Sequence, residues 1–288
     1  MAYVRTMTIL SGLALTCGAG PALAGSAAQP GQTVGIPLGF PLEVGLYFIN
    51  TSSFGVRDTR PGASDLNINL PSFVWATPWT IADARLQFTL LQPVTASAPN
   101  GGRTQSGFGQ TLIAGQLAWD LGEKFGVSYL LGVYLPSDTG IVIRNPVIHQ
   151  RFAASYTGDG WNLTAHVLYG TFVDTISPTG TFYPDFLNLD LTATKKFGKW
   201  EVGPVAFGST DLPATHRPSY QPQGQVAVGG LVGYNFGPVN IQAYVTRDLV
   251  ERNYGGRDTR GWLRAIVPIW HPDGGGSSGG RPYSRDGS

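Results

Sequence analysis

The chain has 288 residues, 42% hydrophobic and only 13% charged, about half the 25% or so of charged residues in a soluble domain. Nineteen basic against 18 acidic residues leave a net charge of +1, without the basic excess of a nucleic-acid binder. A single cysteine excludes a disulfide scaffold, 11% aromatic residues exclude disorder throughout, and 40 glycines without a Gly-X-Y period exclude collagen.

Arg5 precedes an apolar run, Met7 to Leu15, and small residues follow up to Ala22-Leu23-Ala24. This layout predicts a secretory signal peptide over residues 1–24, whose apolar run is too short to cross a bilayer core of about 30 Å. Cleavage after Ala24 leaves a mature chain without Cys17, the one cysteine. Residues 25–40, with Pro30 and Pro37, precede the first strand and form either a periplasmic lead or a plug inside the fold. No later segment reaches 18 consecutive apolar residues, so the exported protein is either soluble or a membrane β-barrel.

From Pro41 onward the hydropathy alternates with a period of two, the mark of strands. Strand one is read from Leu42, Val44, Leu46 and Phe48, and strand two from Leu66, Ile68 and Leu70. Strand three is read from Ala82 to Leu90, strand four from Phe108 to Asp120, and strand five from Phe125 to Leu135. Ile148 to Tyr156, Trp161 to Tyr169, Leu187 to Ala193 and Trp200 to Gly208 give strands six to nine, and Val226 to Phe236, Val239 to Val245 and Gly261 to Trp270 complete twelve. Glycine or proline blurs the faces of strands four, nine and twelve.

The connections alternate in length. Short ones are expected at Thr77–Thr80, Gly122–Lys124, Gly158–Gly160, Gly198-Lys199 and Gly237-Pro238, and long ones at Phe54–Ser64, Val94–Gly107, Pro136–Pro146, Asp174–Pro184, Ser209–Gly224 and Val250–Arg260. An even strand number with short turns at one end and long loops at the other is the plan of an outer-membrane barrel of a Gram-negative bacterium. Aromatic residues near strand ends, among them Tyr47, Trp79, Trp119, Tyr134, Trp161, Phe172 and Trp200, fit interfacial girdles. The expected fold class is therefore all-β, a 12-stranded antiparallel transmembrane β-barrel over residues 41–270. Residues 271–288 form a flexible Gly/Ser-rich tail.

Charged and histidine residues on the polar faces are candidates to line the lumen: Glu43, Asp83, Arg85, His149, Arg151, His166, Asp190, Asp248 and Arg264. Eight strands are nearly filled by side chains and porins of 16–18 strands leave an aqueous channel, so twelve imply a narrow or partly plugged lumen. Arg57-Asp58-Thr59-Arg60 recurs as Arg257-Asp258-Thr259-Arg260, in the first and last long loops. Closure of the barrel makes those loops neighbours, so Arg57, Asp58, Arg60, Arg257, Asp258 and Arg260 are expected at the outer rim. All four lysines, Lys124, Lys195, Lys196 and Lys199, fall at or near short turns.

Several segments carry a resemblance. They are Gly107-Phe108-Gly109-Gln110-Thr111-Leu112 through Ala118-Trp119-Asp120-Leu121, Tyr134-Leu135-Pro136-Ser137, and Asn67 to Trp75 ending in Pro71-Ser72-Phe73-Val74-Trp75. With Gly203-Pro204 and Gly237-Pro238 they resemble the family named for the MetA pathway of phenol degradation, from about Pro41 to Trp270. The resemblance implies an outer-membrane barrel transporter for aromatic or hydrophobic compounds. Two features depart from that pattern: Gln110 stands where members carry Asp after the glycine, and a tail follows Trp270 where barrels usually end.

No H-E-x-x-H, C-x-x-C or Walker loop is present, and the glycine-serine matches at 274–279 lie in the tail without a strand or helix around them. His149 and His166 with Ser155 on one face read as lumen polarity before catalysis, and His216 and His271 lie apart, in a loop and in the tail. The expectation is a channel for passive uptake of small hydrophobic or aromatic solutes, with no enzyme activity and no cofactor. Its partners would be outer-membrane lipid, the barrel-assembly machinery and the solute, with no nucleic acid. The alternatives are a structural or surface-binding barrel without transport, and a lipid-modifying barrel enzyme.

Overall fold

The computed structural model describes residues 26–139, 145–176, 182–213 and 220–272. The expected signal peptide with Cys17, His216, and the tail from Asp273 onward lie outside these residues. The described chain forms a closed barrel from fourteen strand segments, in which the last strand pairs with the first.

The segments are β1 (Gly45–Arg57), β2 (Ser64–Ile81), β3 (Ala84–Leu91), β4 (Val94–Ala98), β5 (Gln105–Phe108), β6 (Leu112–Gly122) and β7 (Phe125–Tyr134). They continue with β8 (Val147–Tyr156), β9 (Trp161–Phe172), β10 (Phe186–Phe197), β11 (Trp200–Asp211), β12 (Gly224–Asn235), β13 (Asn240–Arg252) and β14 (Asp258–Trp270). Fourteen segments make twelve staves. β3 and β4 both pair with β2, and β5 and β6 pair with β4 and β3, so each pair is one stave bent in its middle. Pro93, with no amide hydrogen to give a ladder, and Gly109 mark the two bends, and the Gly109 amide donates to the Pro93 carbonyl at 2.8 Å.

Alternation decides facing wherever one face is apolar. On β7, Phe125, Tyr129, Leu131 and Val133 are exposed on the outer surface, while Ser128, Leu130 and Tyr134 are buried inside. On β9, Leu163 and Val167 face out, and Asn162, Thr164, His166 and Leu168 face in. The uncertain faces resolve in the same way: Leu112, Ala114 and Ala118 turn inward on β6, Glu201, Val205 and Phe207 on β11, and Arg260, Trp262 and Arg264 on β14. β2 inverts the usual pattern, because Leu70 is buried in the interior cluster, with Ile68 packed against it, while Asn67 and Asn69 look outward.

Several expected boundaries move. β1 starts at Gly45 and runs on to Arg57, so Glu43 stands exposed ahead of the barrel rather than in the lumen. The turn expected at Thr77–Thr80 is strand, with Pro78 accommodated where the β2–β3 register shifts between Ala76 and Thr80. The chain reverses instead at Ala82-Asp83, both at positive φ (48° and 62°), as a two-residue turn of the I′ kind requires. Asp83 is therefore an exposed turn residue and does not line the lumen.

The expected loop Val94–Gly107 contains β4 and β5, and the loop Val250–Arg260 shrinks because β13 extends to Arg252 and β14 begins at Asp258. Arg57, Asp258 and Arg260 are thus wall residues and not loop residues. Polar side chains aimed into the lumen near the strand ends hid this continuation, since hydropathy there no longer separates strand from loop. Tyr47, Tyr134 and Phe172, expected in girdles, are buried inside. At the turn end, Trp75, Trp79, Trp161, Trp200 and Phe236 do stand exposed outside.

Candidate functional site: the barrel lumen

Residues Ser26–Phe40 lie inside the barrel. They form a succession of turns, with Gln32, Ile36 and Phe40 amides donating three residues back. A chain without its own ladder must find partners for its backbone groups, and the wall supplies them. Asp190 accepts from the amides of Gly31 (2.9 Å) and Thr33 (3.0 Å) and from the Thr33 hydroxyl (2.6 Å). That hydroxyl also lies 2.8 Å from His166 Nδ1.

Further along, Thr192 accepts from the Gly35 amide, and Asn162 and Gln242 donate to the Gly35 carbonyl. Ser128 donates to Leu38, Ser155 accepts from the Gly39 amide and Gln87 from the Leu42 amide. The segment descends from Asn188, which holds the Ala28 carbonyl, to the turn end where β1 begins. Gly31 and Gly35 have positive φ (82° and 87°), and a Cβ there would come within 2.5 Å of Phe207 and 2.6 Å of Leu231. Only glycine lets the backbone pass this close to the wall.

Arg264 is wholly buried opposite this segment. It donates to the Val34 carbonyl (2.5 Å), the Gln32 carbonyl (2.6 Å), Thr51 (2.8 Å), Gln242 (2.9 Å) and Tyr244 (3.1 Å). Glu201 bonds Gln242 at 3.0 Å, so its carboxylate lies one side chain away from the guanidinium. Arg151 donates to Nε2 of His149 at 2.7 Å, which leaves the ring proton on Nδ1. Arg85 is half-buried and reaches the Thr77 carbonyl. Asp248 accepts the Asp258 amide at 2.8 Å near the loop end.

Two apolar clusters lie among these polar groups on the inner wall. Leu70, Leu91, Leu112, Leu130, Tyr134, Val147, Leu168, Phe172 and Phe186 form one cluster on β2 to β10, with Ala28 packed into it. Val205, Phe207, Leu231, Tyr244 and Trp262 form another around Val34 on β11 to β14. The Tyr244 and Trp262 rings stack with centroids 5.0 Å apart.

The two Arg-Asp-Thr-Arg stretches meet where the barrel closes. Arg57 pairs in register with Asp258, with Nη2 3.7 Å from its carboxylate, and Arg57 lies over the Tyr254 ring at 4.1 Å. Arg260 holds the same carboxylate at 2.7 Å and donates to Ser53 and to the Leu66 carbonyl inside the wall. In the loops themselves, Asp58 accepts from the Arg257 amide at 2.5 Å and faces Arg247 at 3.3 Å. Arg60 is exposed and stands apart from this knot.

Of the nine candidates for the lumen, Arg85, His149, Arg151, His166, Asp190, Asp248 and Arg264 turn inward, and the segment brings His166 and Asp190 together at Thr33. Reading the sequence missed Glu201, Gln242, Gln87, Asn188 and Thr33 itself. Glu201 carried a usable signal, since it follows the interfacial Trp200 and must take the opposite face.

A family model described as "Putative MetA-pathway of phenol degradation" matches residues 17–265. No curated protein sequence matches the chain. Among solved structures, an outer-membrane channel from Pseudomonas putida F1 superposes with a TM-score of 0.66 at 12% identity, over 83% of this chain and 99% of that one. The translocator domain of the autotransporter NalP from Neisseria meningitidis gives 0.48 at 12% identity, over 78% and 89%. CymD, a monoaromatic hydrocarbon channel, gives 0.49 at 10% identity, over 80% and 90%. The first of these likenesses places the architecture among outer-membrane barrels. With the family model matched from Cys17 through Ala265, the chain belongs to the family of the MetA pathway of phenol degradation.

Proposed function

We propose that the chain, exported by the leader at residues 1–24, is an outer-membrane channel that passes small hydrophobic or aromatic solutes without energy input. Its short turns would lie in the periplasm and its long loops outside. The observation that carries this reading is the apolar inner wall of β2 to β10 in the loop half, where Leu91, Leu112, Tyr134, Phe172 and Phe186 pack together, while Arg57, Asp258 and Arg260 charge the β1–β14 side. A passage for hydrated solutes is lined by charges and hydrogen-bonding groups on every side. A wall of leucine, tyrosine and phenylalanine along β2 to β10 instead favours solutes that gain by leaving water. Family membership supports the same reading.

The test is uptake of a labelled monoaromatic hydrocarbon by cells with and without the gene, and growth of both on a panel of aromatic and lipid-like carbon sources. Uptake should fall severalfold without the chain and in Phe172→Asp or Phe186→Asp. Equal uptake and equal growth on the whole panel would sink the proposal. The segment inside the lumen favours a second reading, a sealed barrel whose loops bind a surface partner. Zero flux of every solute through reconstituted barrels would support that reading. For the lipid-modifying alternative the contacts give no support: His149 bonds Arg151 and His166 meets Thr33, and neither has Ser155 as its partner.

A further inference from the structure

On the outer surface, over the turn half of β7 to β12, the barrel wall is hollowed. Alanines are adjacent on its outward face, with Leu191 and Val228 between and beside them: Ala154 pairs with Ala165, Leu191 with both Ala165 and Ala206, and Ala206 with Val228. Phe125, Tyr156 and Leu163 stand at its margin, and the hollow measures about 870 Å³. Sites for small ligands span about 300–1,000 Å³. A smooth wall meets many disordered lipid chains equally, whereas a hollow of this size gains dispersion contacts only when a chain lies in it.

The charge beside it is specific. Lys195 stands two residues beyond Ala193 on the same face of β10, and its Nζ lies 4.9 Å from the centroid of the Trp161 ring. Lys199 follows at the β10–β11 turn and Lys124 precedes Phe125, whereas Lys196 takes the inner face of β10 with Thr192 and Thr194, in register with Glu201. Lys124 is 3.9 Å from Asp159. Trp161 and Trp200 mark the depth of the membrane interface, and a lysine at that depth extends its ammonium group towards the phosphates.

We propose that this hollow binds one anionic phospholipid of the inner leaflet. Its acyl chain runs over Ala154, Ala165, Ala193 and Ala206, and its phosphate meets Lys195 and Lys199. The proposal rests on the outer-membrane reading above, which puts the turn end in the periplasm. A second copy is a poorer occupant, since a two-fold contact through this face in one membrane sets the two lysine rims against each other.

The experiment is native mass spectrometry of the full barrel, released from mixed micelles containing phosphatidylglycerol and phosphatidylcholine. One phosphatidylglycerol should be retained per barrel in preference to phosphatidylcholine. Lys195→Gln with Lys199→Gln should remove the preference, at about fivefold per lysine. Ala193→Leu with Ala206→Leu, which fills the hollow and leaves the charges, should remove retention itself. Equal retention of both lipids, an effect in neither variant, or a dimer that displaces the lipid would overturn the proposal. Barrel folding is checked on an unboiled gel, and the readout does not depend on solute flux, so failure of the channel reading leaves this test intact.

Discussion

Arg264 donates from Nη2 to the carbonyl oxygen of Gln32 at 2.6 Å, joining the last stave of the barrel to the segment threaded through its lumen. Five acceptors from both structures surround the guanidinium, and none is a carboxylate. The charge is therefore held by oriented oxygens, and removing it strands carbonyls in a closed interior. Arg264→Met keeps the volume and loses every donor. We expect a loss of about 3 kcal/mol, read as a lower temperature at which the folded band disappears on an unboiled gel, together with higher single-channel conductance as the segment loosens. Unchanged conductance and heat stability would mean that other contacts hold the segment.

Asp190 carries the other end of the same attachment through three hydrogen bonds from Gly31 and Thr33. A net hydrogen bond contributes about 1 kcal/mol, so losing all three should raise the open fraction at least about tenfold. Ile36→Cys provides a reporter, because the one native cysteine, Cys17, precedes the expected cleavage site. A small thiol reagent should label this cysteine slowly in the parent and at least about tenfold faster in Asp190→Leu. Asp190→Asn should fall between them, since its amide oxygen still accepts. Equal rates in all three would show that Asp190 does not restrain the segment.

These attachments mark the limit of what the sequence revealed. Strands such as β7 and β9 were legible because every second residue is apolar and lipid rewards that face. Ala82-Asp83 was not, because alanine is an unusual choice for a turn at positive φ and Thr77-Pro78 is a stronger turn signal nearby. Arg260 read as a loop residue because its partners Ser53 and Leu66 reach it only when β1 closes on β14. The lumen segment shows no strand or helix periodicity, since it folds as a run of turns and gives its other backbone groups to the wall. Its legible trace was Gly31 and Gly35, one turn apart, where the backbone grazes Phe207 and Leu231.

The rim knot should respond to acid. The Arg257 amide, and then the Arg247 guanidinium, hold the Asp58 carboxyl below its ordinary value of 3.8. A depressed folded pKa means that this contact stabilises the closed rim above pH 3.8 and is lost only as the pH falls through the lower folded value. Protection of the Arg257 amide from hydrogen exchange should thus be constant from neutral pH to about pH 5 and fall below 3.8. Asp58→Asn should give the weakened protection at every pH. A protection change centred near pH 6 in the parent would assign the rim to a different group.

Gly229 and Gly230 on β12 give a paired test of how closely the wall is packed. A Cβ on Gly229 would lie 1.9 Å from the Val245 carbonyl oxygen on β13, a backbone atom that cannot rotate away, whereas a Cβ on Gly230 meets nothing within 4 Å. Gly229→Ala must push two paired staves apart, and overpacking of this kind costs about 1–3 kcal/mol. Gly230→Ala adds a methyl group to the outer face and loses backbone freedom only in the unfolded chain, so it should be neutral or slightly stabilising. Urea unfolding in detergent micelles would rank Gly229→Ala well below the parent and Gly230→Ala level with or above it. Equal midpoints for the two variants would mean that the β12–β13 ladder yields where its register places the strands in contact.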